Sequence, residues 1–317
     1  MEGLKRMPQS IYELKNITLS YKKTNDKAND NISLTIYKGE IIGILGPNGA
    51  GKTTLIKQMI GQLAPTMGTI RFSGQDVLKD TKEVLRQVAY YSQETFALSF
   101  LKTWEAIYFT GRLRGLSRTE AKKQTDSILK RLEMSEYRDK LLKKLSGGQR
   151  RLISIGTVLI GNAPVMILDE PTNELDPLKR KLVWEIIKER NRNGTTIILV
   201  THNILEAEKV VHRVAVIDRG KLLAVDRVAE LKRRVDQRMR LEMITYNGNH
   251  EKIQEKLAAF GTVEEVEETR LHMLVEKESA AAIIELIQDD DLYISQFSLI
   301  PPSLEDVYSK INEQEDV

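Results

Sequence analysis

The sequence contains no cysteine. Without thiols the chain can form neither a disulfide nor a zinc or iron–sulfur site with cysteine ligands. This absence suits the cytoplasm, where disulfides are rare. The first residues, MEGLKRMPQSIYELKN, have no apolar core of the signal-peptide type. Secreted disulfide scaffolds and cysteine-ligated metal centres are therefore excluded.

A long uninterrupted hydrophobic run is also missing. The longest apolar stretch, residues 152–168, is broken by Gly156, Gly161, Asn162 and Pro164. It predicts a helix, a turn and a buried strand, because a membrane-spanning helix needs about 20 consecutive apolar residues. If the protein acts at a membrane, we expect a partner to supply the membrane spans.

The most informative segment present is residues 46–54, GPNGAGKTT, which fits the phosphate-loop pattern G-x-x-x-x-G-K-[ST]. The apolar run Glu40–Leu45 before it predicts a buried strand, and residues 54–60 begin a helix. Glycines let successive N–H groups face an anion, and the helix N-terminus adds partial positive charge. Lys52 can reach the β- and γ-phosphates, while the Thr53 hydroxyl can bind Mg²⁺. The predicted nucleotide-binding residues here are Gly46, Pro47, Asn48, Gly49, Ala50, Gly51, Lys52, Thr53 and Thr54.

A second apolar run, Val165–Leu168, ends in the carboxylates Asp169 and Glu170. Asp169 can hold Mg²⁺ directly or through water, which completes coordination begun by Thr53. Glu170 projects differently and can orient or deprotonate an attacking water. A strand followed by an acidic turn is the alternative, and an intact upstream phosphate loop disfavours it.

A third segment is Leu145-Ser146-Gly147-Gly148-Gln149. Ser146 can cap a helix that starts near Gln149, and the two glycines leave backbone N–H groups exposed. The alternative is a plain capped turn. Because the chain already has one phosphate site, this second anion-binding helix start suggests contact with the γ-phosphate bound by another copy in a two-fold dimer.

Alternation of strand-like and helical patterns predicts an α/β domain with a largely parallel sheet. The predicted strands are Ile11–Leu19, Ile32–Ile36, Ile41–Leu45, Gly68–Phe72, Val88–Ser92, Val165–Asp169, Thr196–Thr201 and Arg213–Asp218. Residues 104–144 read as helical throughout. The strand pattern stops within residues 224–240, and we place a domain boundary there. The predicted domains are residues 1–235 and 236–317.

The C-terminal domain has the predicted order β-α-β-β-α-β, which suggests a small ferredoxin-like α/β unit. The chain's net charge of +3 hides an asymmetry, since residues 240–317 hold 6 Lys and Arg against 18 Asp and Glu. The basic remainder could favour nucleotide, lipid headgroups or nucleic acid. Ordinary solvated surface is the preferred reading, and without an aromatic-interleaved basic stripe we expect no nucleic-acid partner.

Together, LSGGQ, GPNGAGKTT and VMILDEP resemble the ATP-binding subunit of ABC transporters over residues 11–231. The resemblance implies a phosphate-loop ABC ATPase domain with a helical subdomain at about 97–150. From matching positions in the family's motifs, the resemblance implies that Tyr21 would stack on adenine and that Gln93 would contact Mg²⁺ and the attacking water. His202 would contact the γ-phosphate, and Asp176 would cross the dimer interface. Glu174 departs from the pattern, because that position is often glycine.

The ending Pro301-Pro302-Ser303-Leu304-Glu305-Asp306-Val307-Tyr308 resembles that of ATPases serving type-two exporters, including multidrug, antibiotic-resistance and sodium-export systems. The family implies an ATPase that works as a homodimer with ATP and Mg²⁺ beneath separate integral-membrane permease subunits. It would then sit peripherally on the cytoplasmic face of the cell membrane. We expect Trp104, Tyr108 and Phe109 either to form a groove for a membrane-subunit helix or simply to be buried in the helical subdomain.

Alternative functions remain open at this point. One is a soluble, non-transport ABC ATPase that acts on a ribosomal or nucleic-acid partner, although the single phosphate loop argues against a translation factor. Another is an importer ATPase, which the ending motif disfavours. The acidic C-terminal domain could also be a regulatory or docking module for a partner outside the membrane.

Overall fold

The computed structural model describes residues 9–21, 27–92, 99–233, 237–246, 250–288, 292–304 and 306–308. The chain divides into two compact units between Arg227 and Val228, ahead of the boundary at 235/236 that the sequence suggests. Within the described ranges, no helix has the length and apolar character that a membrane crossing requires.

The larger unit combines strands and helices in alternation. Its strands are β1 (Ser10–Ser20), β2 (Lys27–Tyr37), β3 (Ile41–Leu45), β4 (Met67–Phe72), β5 (Gln75–Asp76), β6 (Val88–Tyr91), β7 (Val165–Asp169), β8 (Thr196–Thr201), β9 (Arg213–Asp218) and β10 (Lys221–Arg227). Its α-helices are α1 (Lys52–Met59), α2 (Thr81–Gln87), α3 (Thr103–Leu113), α4 (Arg118–Arg131), α5 (Gly147–Leu159), α6 (Pro177–Arg192) and α7 (Ile204–Glu208).

A six-stranded sheet with the order β10-β9-β3-β8-β7-β6 forms the centre of this unit. Every pair except β9–β10 is parallel. Strands β3, β7 and β8 are buried along their whole length, as expected where both faces of a parallel sheet are covered. Leu45 pairs with Thr201, and Asp169 pairs with Val200. The carboxyl ends of these three strands therefore lie side by side.

A second, antiparallel sheet with the order β2-β1-β4-β5 was not expected from the sequence. Tyr12 on β1 packs against Phe72 on β4, with ring centroids 4.9 Å apart. Apolar residues of this sheet share one core with α1 and the central sheet. Strand β10 was not among the predicted strands, and it pairs with β9 along the edge of the central sheet.

The segment predicted to be helical from 104 to 144 breaks into separate elements. Helix α3 ends at Leu113, Gly115 adopts a φ of 90°, and the Ser117 hydroxyl caps α4. Short 3₁₀ turns follow at Ser135–Tyr137 and Leu142–Lys144. The segment is thus helical apart from the turns between its elements, which the sequence reasoning did not place because it overlooked their turn chemistry.

The smaller unit begins with α8 (Val228–Arg233) and continues with α9 (His250–Leu257), α10 (Ala280–Ile287) and four strands. The strands are β11 (Met239–Thr245), β12 (Val263–Glu267), β13 (Arg270–Val275) and β14 (Ile294–Ile300). They form an antiparallel sheet with the order β12-β13-β11-β14. From β11 onward the α-helices and strands follow the predicted β-α-β-β-α-β order, and their apolar residues form a core of their own.

Candidate nucleotide-binding site

The loop between β3 and α1 has the backbone that an anion-binding loop needs. Gly46, Gly49 and Gly51 have φ values of 154°, 83° and 98°. A Cβ at Gly46 would lie 1.9 Å from the Ile217 carbonyl oxygen, and one at Gly51 would lie 2.1 Å from the carbonyl oxygen of Ala28. The glycines therefore satisfy both an unusual backbone conformation and a close approach of neighbouring main chain.

Lys52 begins α1 and is buried. Its Nζ donates hydrogen bonds to the carbonyl oxygens of Gly46 (2.7 Å) and Pro47 (2.8 Å). Burial lowers the pKa of Lys52 from its usual value, while the nearby charges of Glu170 and Asp169 oppose that shift. The ammonium thus lies inside the loop, where phosphate oxygens could replace these carbonyl partners.

The Thr53 hydroxyl donates a 2.9 Å hydrogen bond to Oδ2 of Asp169, at the end of the neighbouring strand β7. Asp169 is only 2% exposed. Burial raises the pKa of its carboxyl group, while the Thr53 hydrogen bond acts in the opposite direction. A hydroxyl and a carboxylate are oxygen donors of the kind that Mg²⁺ prefers.

These two oxygens fit a magnesium ion that is bound mainly through nucleotide phosphates. Within the described ranges, no group of three or more His, Cys, Asp or Glu side chains could hold a metal ion. Mg²⁺ commonly uses one or two protein ligands together with waters and substrate phosphates. The Thr53–Asp169 pair therefore matches a substrate-borne metal better than a metal cage built by protein alone.

Glu170 lies immediately after β7 and has an unusual backbone for a non-glycine residue, with a φ of 53°. Its N–H donates to the Val200 carbonyl oxygen over 2.8 Å, which fixes it against β8. Oε2 accepts a 2.8 Å bond from the Thr201 hydroxyl. Oε1 accepts a 2.8 Å bond from the His202 N–H and lies 2.6 Å from His202 Nδ1. The structure thus brings Glu170 and His202 together beside the Thr53–Asp169 pair.

Thr201 is a contributor that the sequence reasoning did not identify. It is 3% exposed, donates to Glu170 and accepts a 3.0 Å bond from the Asn203 N–H. The sequence signal that could have identified it is its position, since Thr201 ends a predicted strand and directly precedes His202. Its importance depends on β7 and β8 being neighbours, which the sequence alone did not specify.

The Leu145–Gln149 segment caps the N-terminus of α5 through a capping box. The Ser146 hydroxyl accepts from the Gln149 N–H over 3.3 Å, and Gln149 Oε1 accepts from the Ser146 N–H over 3.0 Å. Helix α5 begins at Gly147 rather than near Gln149, because both glycines adopt the first helical turn. Leu145 before it is buried. Among the described residues, no hydrogen bond joins this segment to the phosphate loop of the same chain.

The remaining predicted site residues are placed as follows. Tyr21 follows β1 and is half-exposed. Asp176 caps α6, its Oδ1 accepting from the N–H groups of Leu178 (3.0 Å) and Lys179 (2.9 Å). Gln93 lies outside the described residues.

Residues 29–173 match the family described as ABC transporter. A daunorubicin/doxorubicin resistance ATP-binding protein, DrrA of Streptomyces peucetius, is 35% identical over 225 residues, which are 71% of this chain and 68% of that protein. The chain belongs to the ABC transporter family. Within that family it is an ATP-binding ATPase subunit.

Two further similarities extend this finding. ATP-binding cassette sub-family A member 2 of Rattus norvegicus is 27% identical over 332 residues, which cover 94% of this chain but only 14% of that longer protein. The dimeric, post-hydrolysis structure of the ATP-binding cassette MJ0796 with ADP and Pi is 25% identical, with a TM-score of 0.64. That match covers 68% of this chain and 98% of the other. The ABC cassette fold of the larger unit is thus shared with proteins of known structure.

Proposed function

We propose that two copies of this chain bind Mg-ATP between them and use hydrolysis to drive an exporter's membrane subunits. The observation that carries the proposal is the Glu170 carboxylate, held by Thr201 and His202 at the end of β7. It lies one residue beyond Asp169, which contacts Thr53 of the phosphate loop. One site thus contains a phosphate cradle, metal-type oxygen donors and a fixed carboxylate.

Nucleotide binding is assigned to the phosphate loop and to Tyr21. The backbone N–H groups of residues 46–54 and the Lys52 ammonium would hold the β- and γ-phosphates, because a lysine at this position reaches them as a point charge. The half-exposed Tyr21 ring is available to stack on adenine. Binding would exchange the carbonyl partners of Lys52 for phosphate oxygens.

Magnesium is assigned to Thr53 and Asp169, with Gln93 as a further ligand from the segment after β6. When bound, Mg²⁺ would neutralise charge on the β- and γ-phosphates during transfer. Asp169 supports this assignment because its carboxylate is buried and, among the described residues, its hydrogen-bond partner is the Thr53 hydroxyl. A cation there would offset the cost of burying its charge.

Water activation is assigned to Glu170, with His202 alongside. The Thr201 hydroxyl and the His202 N–H fix the carboxylate orientation, so that its remaining lone pairs can accept a proton from water. The His202 side chain is 47% exposed and can reach a phosphate brought into the site. Stabilising charge on the transferred phosphoryl group is the main catalytic requirement.

The second half of each site would come from the partner copy. Ser146 and the N–H groups of Gly147 and Gly148 form an exposed helix start without a phosphate ligand in their own chain. In a two-fold dimer each such segment would face the other copy's γ-phosphate. Asp176 would lie at the same interface, and the dimeric MJ0796 structure supports this arrangement.

The membrane partner is assigned from the relatives and from one surface groove. DrrA's name describes drug resistance, which favours export through a separate integral-membrane permease, with this chain on the cytoplasmic face of the membrane. In the helical subdomain, Trp104, Tyr108 and Phe109 form an aromatic cluster with Tyr108–Phe109 ring centroids 5.3 Å apart. Trp104 and Tyr108 line a groove of about 640 Å³ that would receive a permease helix.

The test is ATP hydrolysis by the full chain with Mg²⁺, compared with Glu170→Gln. Removing the carboxylate should lower kcat by about 10²–10⁴-fold, because that is the usual contribution of a general base. ATP binding should persist, since the phosphate loop and Lys52, which would hold the phosphates, are unchanged. Glu189→Gln, a change at an exposed carboxylate, is the control. Rapid turnover by Glu170→Gln would rule out the assigned role.

A further inference from the structure

Arg151 is a largely buried cation that the mechanism above does not use. It lies on α5, the signature helix, one turn after Gly147 and Gly148 of the signature segment, Leu145–Gln149. Its side chain is only 11% exposed. Its Nη1 donates a 3.0 Å hydrogen bond to the backbone carbonyl oxygen of Glu170. Its Nη2 lies 3.4 Å from Oε2 of Glu174. One guanidinium therefore contacts both the residue assigned to water activation and the loop that follows it.

Glu174 is placed beside the signature segment by an unusual backbone, with a φ of 60°. Its Oε2 would lie 3.6 Å from a Cβ built at Gly147, and its carbonyl oxygen 3.4 Å from one at Gly148. The Glu174 side chain is 69% exposed, so solvent reaches much of it while its Oε2 contacts Arg151. Glu174 thus contacts the Nη2 side of the Arg151 guanidinium close to the start of α5.

The loop between Glu170 and α6 is also held from its other side. The Thr172 hydroxyl donates to Glu206 over 3.2 Å. Arg180 contacts the same carboxylate and donates to the Leu175 carbonyl oxygen over 3.3 Å. This side is anchored independently, and among the described residues Arg151 links the loop to α5 by a hydrogen bond and an ion pair.

We propose that Arg151 is a positioning residue that couples the signature helix to the Glu170 carboxylate, with Glu174 orienting its guanidinium. The inference rests on the proposed hydrolysis of ATP through Glu170. A guanidinium presents a rigid fork of donors, so it can hold a carbonyl and a carboxylate at once, which a lysine cannot do equally well. A displacement of about 1 Å at a reacting group can cost about 10²-fold in rate.

The test uses the full chain and four variants, Arg151→Gln, Arg151→Lys, Glu174→Gln and Arg131→Gln. Arg151→Gln should lower the kcat of ATP hydrolysis by about 10- to 100-fold while the KM for ATP changes less than about twofold. Arg151→Lys should recover part of the loss. Glu174→Gln should lose about two- to fivefold, because the Glu170 contact survives. Arg131→Gln, which removes a cation paired with Glu189 on the surface, should match the unaltered chain.

A second readout separates positioning of Glu170 from support of the signature segment. In the Glu170→Gln background, where hydrolysis is already blocked, adding Arg151→Gln should leave ATP-dependent dimerisation intact. Loss of that dimer would overturn the proposal, because Arg151 would then hold the signature segment itself. The proposal would also be overturned if Arg151→Gln left kcat unchanged, whether or not the KM for ATP rose. Absence of hydrolysis by the unaltered chain would refute the proposed function and this inference with it.

Discussion

At the scale of single residues, the site contains charges that the fold alone does not compensate fully. Burial lowers the pKa of Lys52 and raises that of Asp169, so each charged form is disfavoured. A Thr53 hydrogen bond and the mutual attraction of the two charges offset part of this cost. Functional sites commonly hold such perturbed groups because the ligand supplies the missing interactions.

Asp169→Asn should therefore stabilise the nucleotide-free protein while abolishing hydrolysis. Asparagine keeps an acceptor for Thr53 and removes the buried charge, so the free energy of unfolding should rise by about 1 kcal/mol, or about 2–4 °C in Tm. Thermal unfolding without nucleotide measures this. Asp126→Asn, at an exposed ion pair, provides the control. A lower Tm for Asp169→Asn would show that the carboxylate is already well compensated.

Motif reasoning identified residues whose chemistry is local, and missed those whose role depends on strand order. Lys52, Thr53, Asp169 and Glu170 follow from two short patterns, and the structure brings them together. The contacts of Arg151 with Glu170 join segments that only the folded topology makes neighbours. Periodicity cannot indicate which helix faces which strand end.

At the scale of elements, the strand order explains how the site forms. Strands β3, β7 and β8 are adjacent and parallel, so their carboxyl ends present the phosphate loop, Glu170 and His202 at one edge. Ligands in open α/β sheets bind at this edge. The site is therefore a consequence of sheet topology, while the motifs supply its chemistry.

The phosphate loop should be intolerant of a side chain at Gly51. A Cβ there would lie 2.1 Å from the Ala28 carbonyl oxygen, in addition to the strain of a φ of 98°. Gly194 has a similar φ of 93° with nothing within 4 Å. Gly194→Ala should cost about 1 kcal/mol from strain, and Gly51→Ala at least about 2 kcal/mol more. Urea unfolding of both variants compares them directly, and equal losses would contradict the close approach.

The sequence predicted the buried central strands well and missed two edge strands, β5 and β10. Runs such as Ile41–Leu45 and Val165–Asp169 match β3 and β7 because both faces are buried and apolar. Strand β10 was missed because its residues are half-exposed at the sheet edge. The two-residue strand β5 is too short to show a period. Antiparallel pairing of β1 with β2 and β4 depends on long-range contacts that no local pattern reports.

At the scale of the whole molecule, the described residues of the two units form separate hydrophobic cores. One lies in the larger unit around β3, α1 and the antiparallel sheet, and the other lies within the β-α-β-β-α-β unit. The net charge of the two regions also differs: residues 240–317 carry a net charge of −12, and the rest of the chain carries +15. Each core is sufficient to define a cooperative folding unit.

Calorimetry should therefore resolve two unfolding transitions. ATP added to the Glu170→Gln variant should raise only the transition of the larger unit, because ligand binding stabilises the unit that contains the site. At about 100 times Kd the stabilisation is about 2.7 kcal/mol. A single transition that shifts as a whole would contradict independent units.

The most direct test of the central claim is the solution mass of Glu170→Gln, measured by light scattering with Mg-ATP and again after EDTA. If ATP is held between two copies, the 36.2 kDa chain should double in mass with Mg-ATP and return to the monomer after chelation. Ser146→Arg in the same background should remain monomeric while still binding ATP, because the added side chain blocks the partner's phosphate. A monomer under all conditions, despite bound ATP, would contradict the shared site.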